Sequence, residues 1–287
     1  MPFVNQVAVV SESPAVPLDE VARVCAALQK QVVRDLGPLW DLDGTVDAFA
    51  RLEDVPTGYW PVIVRDDIGF ESAGVHCDKH GQPLALVTAG PDWSLTASHE
   101  IVEMLVDPFG RRLIAGWSPL EGQGRVEFLV EVADPVSDPS LAYTVNGVRV
   151  SDFCSPRYFD PEPVAGAQFS FAGHISAPRE VLRGGYLTWH DPVGDDWWQQ
   201  SWFDGAAPTI AALGRIEDVL CGLRSAVDAI TARRRNRRAG KATRASAGRR
   251  RPARRSPEEM GVAVAAAAHA KAQAWRIRCE RLIARQG

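Results

Sequence analysis

Residues 94–108, Ser-Leu-Thr-Ala-Ser-His-Glu-Ile-Val-Glu-Met-Leu-Val-Asp-Pro, decide how the rest of the chain is read. The run predicts a helix. Ser94 offers a hydroxyl to an orphan backbone N–H at its start. Asp107-Pro108 ends it, because the residue before a proline resists the helical region. Inside that helix His99 and Glu103 stand at i and i+4, on one face and one turn apart. Glu100 follows His99 directly. An imidazole and a carboxylate on one face are two converging ligands for a divalent ion, and a carboxylate beside them is a base for its water.

A third ligand must come from outside the helix. Asp107 lies about 12 Å from His99 along the axis, too far for one ion to reach both, and reads as a structural or supporting residue. Glu131, in Glu131-Val132-Ala133-Asp134, follows a connection long enough to return a second element to the helix. Glu131 is therefore the predicted third ligand. Asp134 is predicted to accept the second ring N–H of His99 and fix its tautomer. The ion expected is Zn²⁺ or another divalent metal, because two carboxylates make the site harder than an all-histidine one. Tyr158, Tyr186 and His190 are candidate donors to an oxyanion.

The segment His99-Glu100-Ile101-Val102-Glu103 resembles the HExxH helix of zincin-like metallopeptidases, with Glu103 where the second histidine would stand. The order of a helix followed by a downstream Glu, with an Asp a few residues later, is that of the gluzincins. The set Ser98, His99, Glu100, Glu103, Asp107, Pro108 and Glu131-Val132-Ala133-Asp134 is also similar to a motif of the phosphate-induced, exordium-type proteins. The resemblance spans roughly residues 74 to 160. It implies an α+β fold in which a small mixed sheet packs on an active-site helix. It also implies an edge strand, within Gly74 to Val87, that pairs with an extended peptide. The zincin comparison implies a hydrolase in which Glu100 is the general base; the exordium-type comparison does not by itself imply peptidase activity.

Outward from this centre, Phe3 to Val10 reads as a first strand and Asp19 to Leu36 as an amphipathic helix ended by Gly37-Pro38. Tyr59 to Val64 and Gly74 to Val87 read as strands, with Pro61 and the turn Lys79-His80-Gly81-Gln82-Pro83 suggesting edge positions and a hairpin. His76 and His80 stand at i and i+4, but in a strand and turn they diverge, so they read as structural or surface histidines. Phe128 to Val132 reads as a short apolar strand or a helix start. Asn146-Gly147 predicts a type I′ hairpin within Tyr143 to Val150. Residues 155–205 read mostly as loops. Trp197, Trp198 and Trp202 read as a buried aromatic cluster, with a platform for sugar or peptide as the alternative. Ala211 to Ala232 has helical periodicity.

The totals exclude several classes. No window approaches the roughly 18 apolar residues of a membrane span, and the first twelve residues lack the basic start of a secretory signal. Five scattered cysteines without a CxxC pair read as reduced thiols of a cytoplasmic protein, not as zinc thiolates. Neither Gly122-Gln123-Gly124 nor Gly184-Gly185-Tyr186 has the setting of a phosphate loop, and no GxSxG occurs. The net charge of −4 divides unevenly, with twelve Arg or Lys and no acid in residues 233–255.

The expected organisation is a zincin-like α+β domain over 1–232, a basic disordered linker over 233–257 and an Ala-rich helix over 258–287. Three functions compete. The first is a zinc-dependent hydrolase acting on a peptide or protein. The second is a binding or assembly protein with a structural metal, whose basic segment contacts nucleic acid or an acidic partner. The third is a metal-free relic of the fold.

Overall fold

The computed structural model describes residues 4–79, 81–160, 162, 164–216, 223–224 and 226–235. Everything below concerns these residues, which fall in the unit Met1–Arg238. The predicted linker beyond 235 and the predicted helix over 258–287 lie outside them, as does His80.

Two five-stranded sheets make an α+β architecture. In the first, β1 (Val4–Ser11) is flanked by β2 (Asp43–Phe49) and β3 (Trp60–Arg65), and β5 (Gln82–Thr88) follows β3, all parallel. β4 (Gly74–Lys79) closes this sheet as its antiparallel edge, in a hairpin with β5. Pro61 sits in an interior strand, contrary to the edge expectation. It is tolerated because β3 pairs with β5 only from Val62 onward, so the missing N–H falls before the second ladder begins.

Two helices bury their apolar sides in the core that holds Val7, Val9, Val62, Val64, Ala85 and Val87 of this sheet. α1 (Leu18–Lys30) contributes Val21, Val24 and Leu28. Gly37-Pro38 does not stop the chain. A π-helical stretch, Gln31–Leu36, leads into the short α2 (Gly37–Trp40), where Pro38 occupies the first turn and needs no N–H partner. The helix ends at Asp41, in the left-handed region with φ 51°. α3 (Trp93–Val106) is the helix expected near the centre, buried on nearly every side. Asp92 precedes it as N-cap residue, without a side-chain cap, and the Ser94 hydroxyl donates instead to the Arg149 carbonyl.

The second sheet is antiparallel, in the order β12-β11-β10-β7-β6. β6 (Leu113–Trp117) and β7 (Arg125–Leu129) follow α3, and β10 (Tyr186–Asp191), β11 (Asp196–Ser201) and β12 (Thr209–Gly214) come later. Two strands thus fall in the stretch read as loops. Residues 211–214, read as the start of a helix, form β12, because pairing with β11 decides the state of a short Ala/Leu run. Helical backbone is found at 223–224 and 226–235, so the basic run begins on a helix. β8 (Tyr143–Val145) and β9 (Val148–Val150), which lie in the chain between β7 and β10, form the predicted hairpin, with Asn146 and Gly147 both at positive φ. Trp197 is buried beside Leu129 and Tyr186, whereas Trp198 and Trp202 pack partly against the main core, so the three are divided between two apolar clusters.

Candidate metal centre

α3 is short of solvent yet carries three titratable residues, so each must find a partner inside the protein. Two of the partners come from the end of β7. Past Leu129 the chain turns through Glu131 and enters a single 3-10 turn at Asp134–Val136, which Pro135 fits by lacking an N–H. That turn lays the backbone over α3, and the Ala133 N–H donates to Glu103 Oε1 at 3.1 Å. Ser98 ties the opposite side of α3. Its hydroxyl donates to Gln31 at 2.8 Å and accepts from the Ser151 N–H at 2.9 Å. Gln31 in turn donates to the Tyr143 hydroxyl, which donates to Asp35.

The pair expected on one helical face is there. His99 Nε2 lies 3.4 Å from Glu103 Oε2. The same nitrogen lies 3.3 Å from Asp134 Oδ1. His99, Glu103 and Asp134 offer one donor atom each, all within 4.8 Å of one another. For bonds of about 2.1 Å at tetrahedral to octahedral angles, neighbouring ligand atoms lie roughly 3.0–3.5 Å apart. The spacing therefore fits a divalent ion.

The roles of the two downstream acids are exchanged relative to expectation. Asp134 faces the nitrogen of His99 that Glu103 also faces, so it completes the triad instead of holding the ring's other nitrogen. Glu131 belongs to neither of the candidate triads, and its Oε2 is held by Arg224 Nε at 2.7 Å. Asp107 ends α3 and accepts from the Arg112 N–H, a structural role. Of the oxyanion candidates only Tyr186 reaches the site, with its hydroxyl donating to Asp228 and accepting from Arg224, both at 3.0 Å. Tyr158 is buried elsewhere and donates to the Glu180 carbonyl. His190 pairs with Glu127 and Asp195.

Two members were missed in the sequence. His76, on β4, is fully buried, with Nδ1 3.4 Å from Glu100 Oε2 and 3.6 Å from Glu103 Oε2. The signal was present in strand alternation, which puts His76 on the same face of β4 as Gly74, the glycine that meets α3. A Cβ on Gly74 would come within 2.5 Å of Glu100 Oε1. Arg224 is the other. On the last described helix the buried positions 224, 227, 228 and 231 recur at helical spacing. This brings the guanidinium among the acids, 2.9 Å from Glu103 Oε2 and 3.3 Å from Asp134 Oδ2, with Asp228 also in contact. Gly110, at φ 58°, makes room for it, since a Cβ there would meet Arg224 Cβ at 2.5 Å.

No family model matches the chain, and no curated protein or solved structure matches it. Glu100, Glu103, Glu131, Asp134 and Asp228 are all buried, the most exposed of them, Asp228, by only 6%. Burial opposes ionisation of Glu103, but His99 and Arg224 beside it hold its carboxyl well below the ordinary range. Burial pushes Glu131 well above that range against the pull of Arg224. Burial works against the charged form of His99, yet Glu103 and Asp134 raise its pKa well above that of a free imidazole. Glu131 Oε1, Asp134 Oδ2 and Glu100 Oε2 accept no hydrogen bond among the described residues. A cavity of about 310 Å³ opens beside the cluster, lined by Gly74, His99, Glu100, Asp134, Tyr186 and Arg224, among others. The arrangement can bind a cation at its inner end and admit a small group from outside.

Proposed function

We propose that this chain is a divalent-metal hydrolase of zincin-like build that acts on an extended peptide. The observation that carries the reading is the convergence of His99, Glu103 and Asp134 at ligand spacing beside an open cavity. The edge strand adds support: β4 is antiparallel, lies at the border of its sheet and packs on α3 through Gly74, so a peptide paired to its outer side would run past Glu100.

A divalent ion held by His99, Glu103 and Asp134 would supply Lewis-acid polarisation of a carbonyl and a more acidic water. Glu100, beside His99 and lining the cavity, takes the proton from water and returns it to the leaving amine. Arg224 and the Tyr186 hydroxyl are the donors nearest the ligands and offset charge that develops on the carbonyl oxygen. Glu131 keeps Arg224 in place.

The test is elemental analysis of protein purified without chelator, wild type and His99→Ala, followed by a peptide-cleavage screen with Glu100→Gln. His99→Ala is expected to hold about one ion per chain fewer than wild type, and Glu100→Gln to lose cleavage. Metal without cleavage on any peptide library would end the hydrolase reading. The metal-free reading has one observation of its own, the guanidinium of Arg224 among the acids, which serves as an internal counter-ion. That reading requires metal-free protein whose melting temperature does not respond to divalent ions.

A further inference from the structure

His76 is fully buried, and neither of its ring nitrogens makes a hydrogen bond to a described residue. A neutral imidazole has one donor and one acceptor to satisfy, and leaving a buried polar group unsatisfied is costly. The atoms closest to Nδ1 are carboxylate oxygens, Glu100 Oε2 at 3.4 Å and Glu103 Oε2 at 3.6 Å. Glu100 Oε2 is likewise buried without a hydrogen-bond partner. Three donor atoms, from His76, Glu100 and Glu103, lie within 4.8 Å of one another. This second triad shares only Glu103 with the first. Both use the same oxygen, since Glu103 Oε2 is also the atom 3.4 Å from His99 Nε2.

We propose that the site is dinuclear: a second divalent ion binds between His76, Glu100 and Glu103, with Glu103 bridging it to the ion at His99 and Asp134. The proposal rests on the metal reading above and extends it to a second ion. Spacing supports it, because 3.4–3.6 Å is close to the separation of neighbouring ligands around an ion with bonds of about 2.1 Å. Charge supports it independently. Glu103, Glu131, Asp134 and Asp228 all contact the one guanidinium of Arg224, and Glu100 is buried beside them, so the cluster holds more carboxylates than its single permanent cation can balance. One nitrogen and two oxygens per ion suit Mn²⁺, Fe²⁺, Co²⁺ or Zn²⁺, so Mn²⁺ is a fitting probe. Glu100 would then be a ligand through Oε2 and not the free base of the mononuclear reading, its Oε1 lying on the Gly74 side.

The experiment loads the full chain with Mn²⁺, removes excess by gel filtration, and reads stoichiometry and the electron paramagnetic resonance spectrum. The proteins compared are wild type, His76→Leu, His99→Ala and Glu103→Gln. Leucine at 76 fills the volume without orphaned nitrogens. The expected result is two ions per wild-type chain with an exchange-coupled spectrum, and one ion with a six-line mononuclear spectrum in His76→Leu. His99→Ala should also hold one, and Glu103→Gln should lose both. One ion in wild type and an unchanged one in His76→Leu would overturn the second site and leave the first standing. No ion in wild type would overturn both. Two ions retained in His76→Leu would overturn the assignment to His76. If His76→Leu fails to fold by circular dichroism, a stepwise titration of wild type decides: saturation at one ion, uncoupled throughout, overturns the proposal.

Discussion

Ser98 precedes His99 but points away from it, into the buried chain Ser98–Gln31–Tyr143–Asp35 that joins α3 to the π-helical stretch Gln31–Leu36 and to β8. Ser98→Ala leaves the Ser151 N–H and one Gln31 acceptor unsatisfied in the core, which should cost about 1–3 kcal/mol in urea unfolding without changing metal content. An unchanged stability would mean that water or a rearranged Gln31 replaces the hydroxyl. Single residues were unequally legible from sequence. His99 and Glu103 were readable because helical spacing alone puts them together. The exchange between Glu131 and Asp134 was not, since it depends on which way a single 3-10 turn faces. His76 was obscured by its spacing to His80, which invites a helical test in a segment that is a strand.

At the scale of elements, the last described helix is built into the candidate site. It supplies Arg224 and Asp228 from one face, and Gly110 of the α3–β6 connection accommodates it. Nothing local in the sequence reveals this, because an arginine on a helical stretch ordinarily reads as a solvated residue. Arg224→Met should destabilise the metal-free chain by about 3–5 kcal/mol, because it strips the acids of their internal cation. Saturating Mn²⁺ should recover most of that loss, as read by the melting temperature with and without chelator. A variant as stable as wild type in chelator would show that protons alone balance the acids. β12 makes a related point. Ala211 to Gly214 has the residues of a helix, and cross-strand pairing with β11 prevails over that local preference.

Across the whole molecule, strand and turn signals were enough to read a hairpin before the central helix, while the α+β fold was implied by the resemblance; the structure shows a mixed chain with that hairpin, β4 and β5, ahead of α3. Among the described residues no helix is long and apolar enough to cross a membrane. The molecule also has a pH signature in its tyrosines. All four tyrosines are shifted upward, and for Tyr143 the causes are burial first and then Asp35 at its hydroxyl. The folded state therefore keeps phenolic protons that the unfolded state releases near pH 10. Their contribution to stability is full below that pH and is lost as pH rises through the higher folded values. Absorbance titration at 295 nm should show at most Tyr59 ionising in the native state, with Tyr143, Tyr158 and Tyr186 appearing together with alkaline unfolding. Smooth titration of all four around pH 10 in folded protein would contradict their burial. Cys25, pushed up to about 12 by burial and then by Asp47, should stay unreactive toward thiol reagents over the same range.

Glu103 and Arg224 are 121 residues apart. At the usual pace of ribosomes this separation is on the order of ten seconds of synthesis. During that interval Glu100, Glu103, Glu131 and Asp134 have all been made, and the arginine that balances them has not. The first sheet and α3 are complete by then, so whatever closes this pocket early must come from the surrounding solution, as protons or as divalent ions. On the proposed metal reading, the ion supply of the cell at the moment of translation would bear on how the chain first folds, before any question of turnover arises.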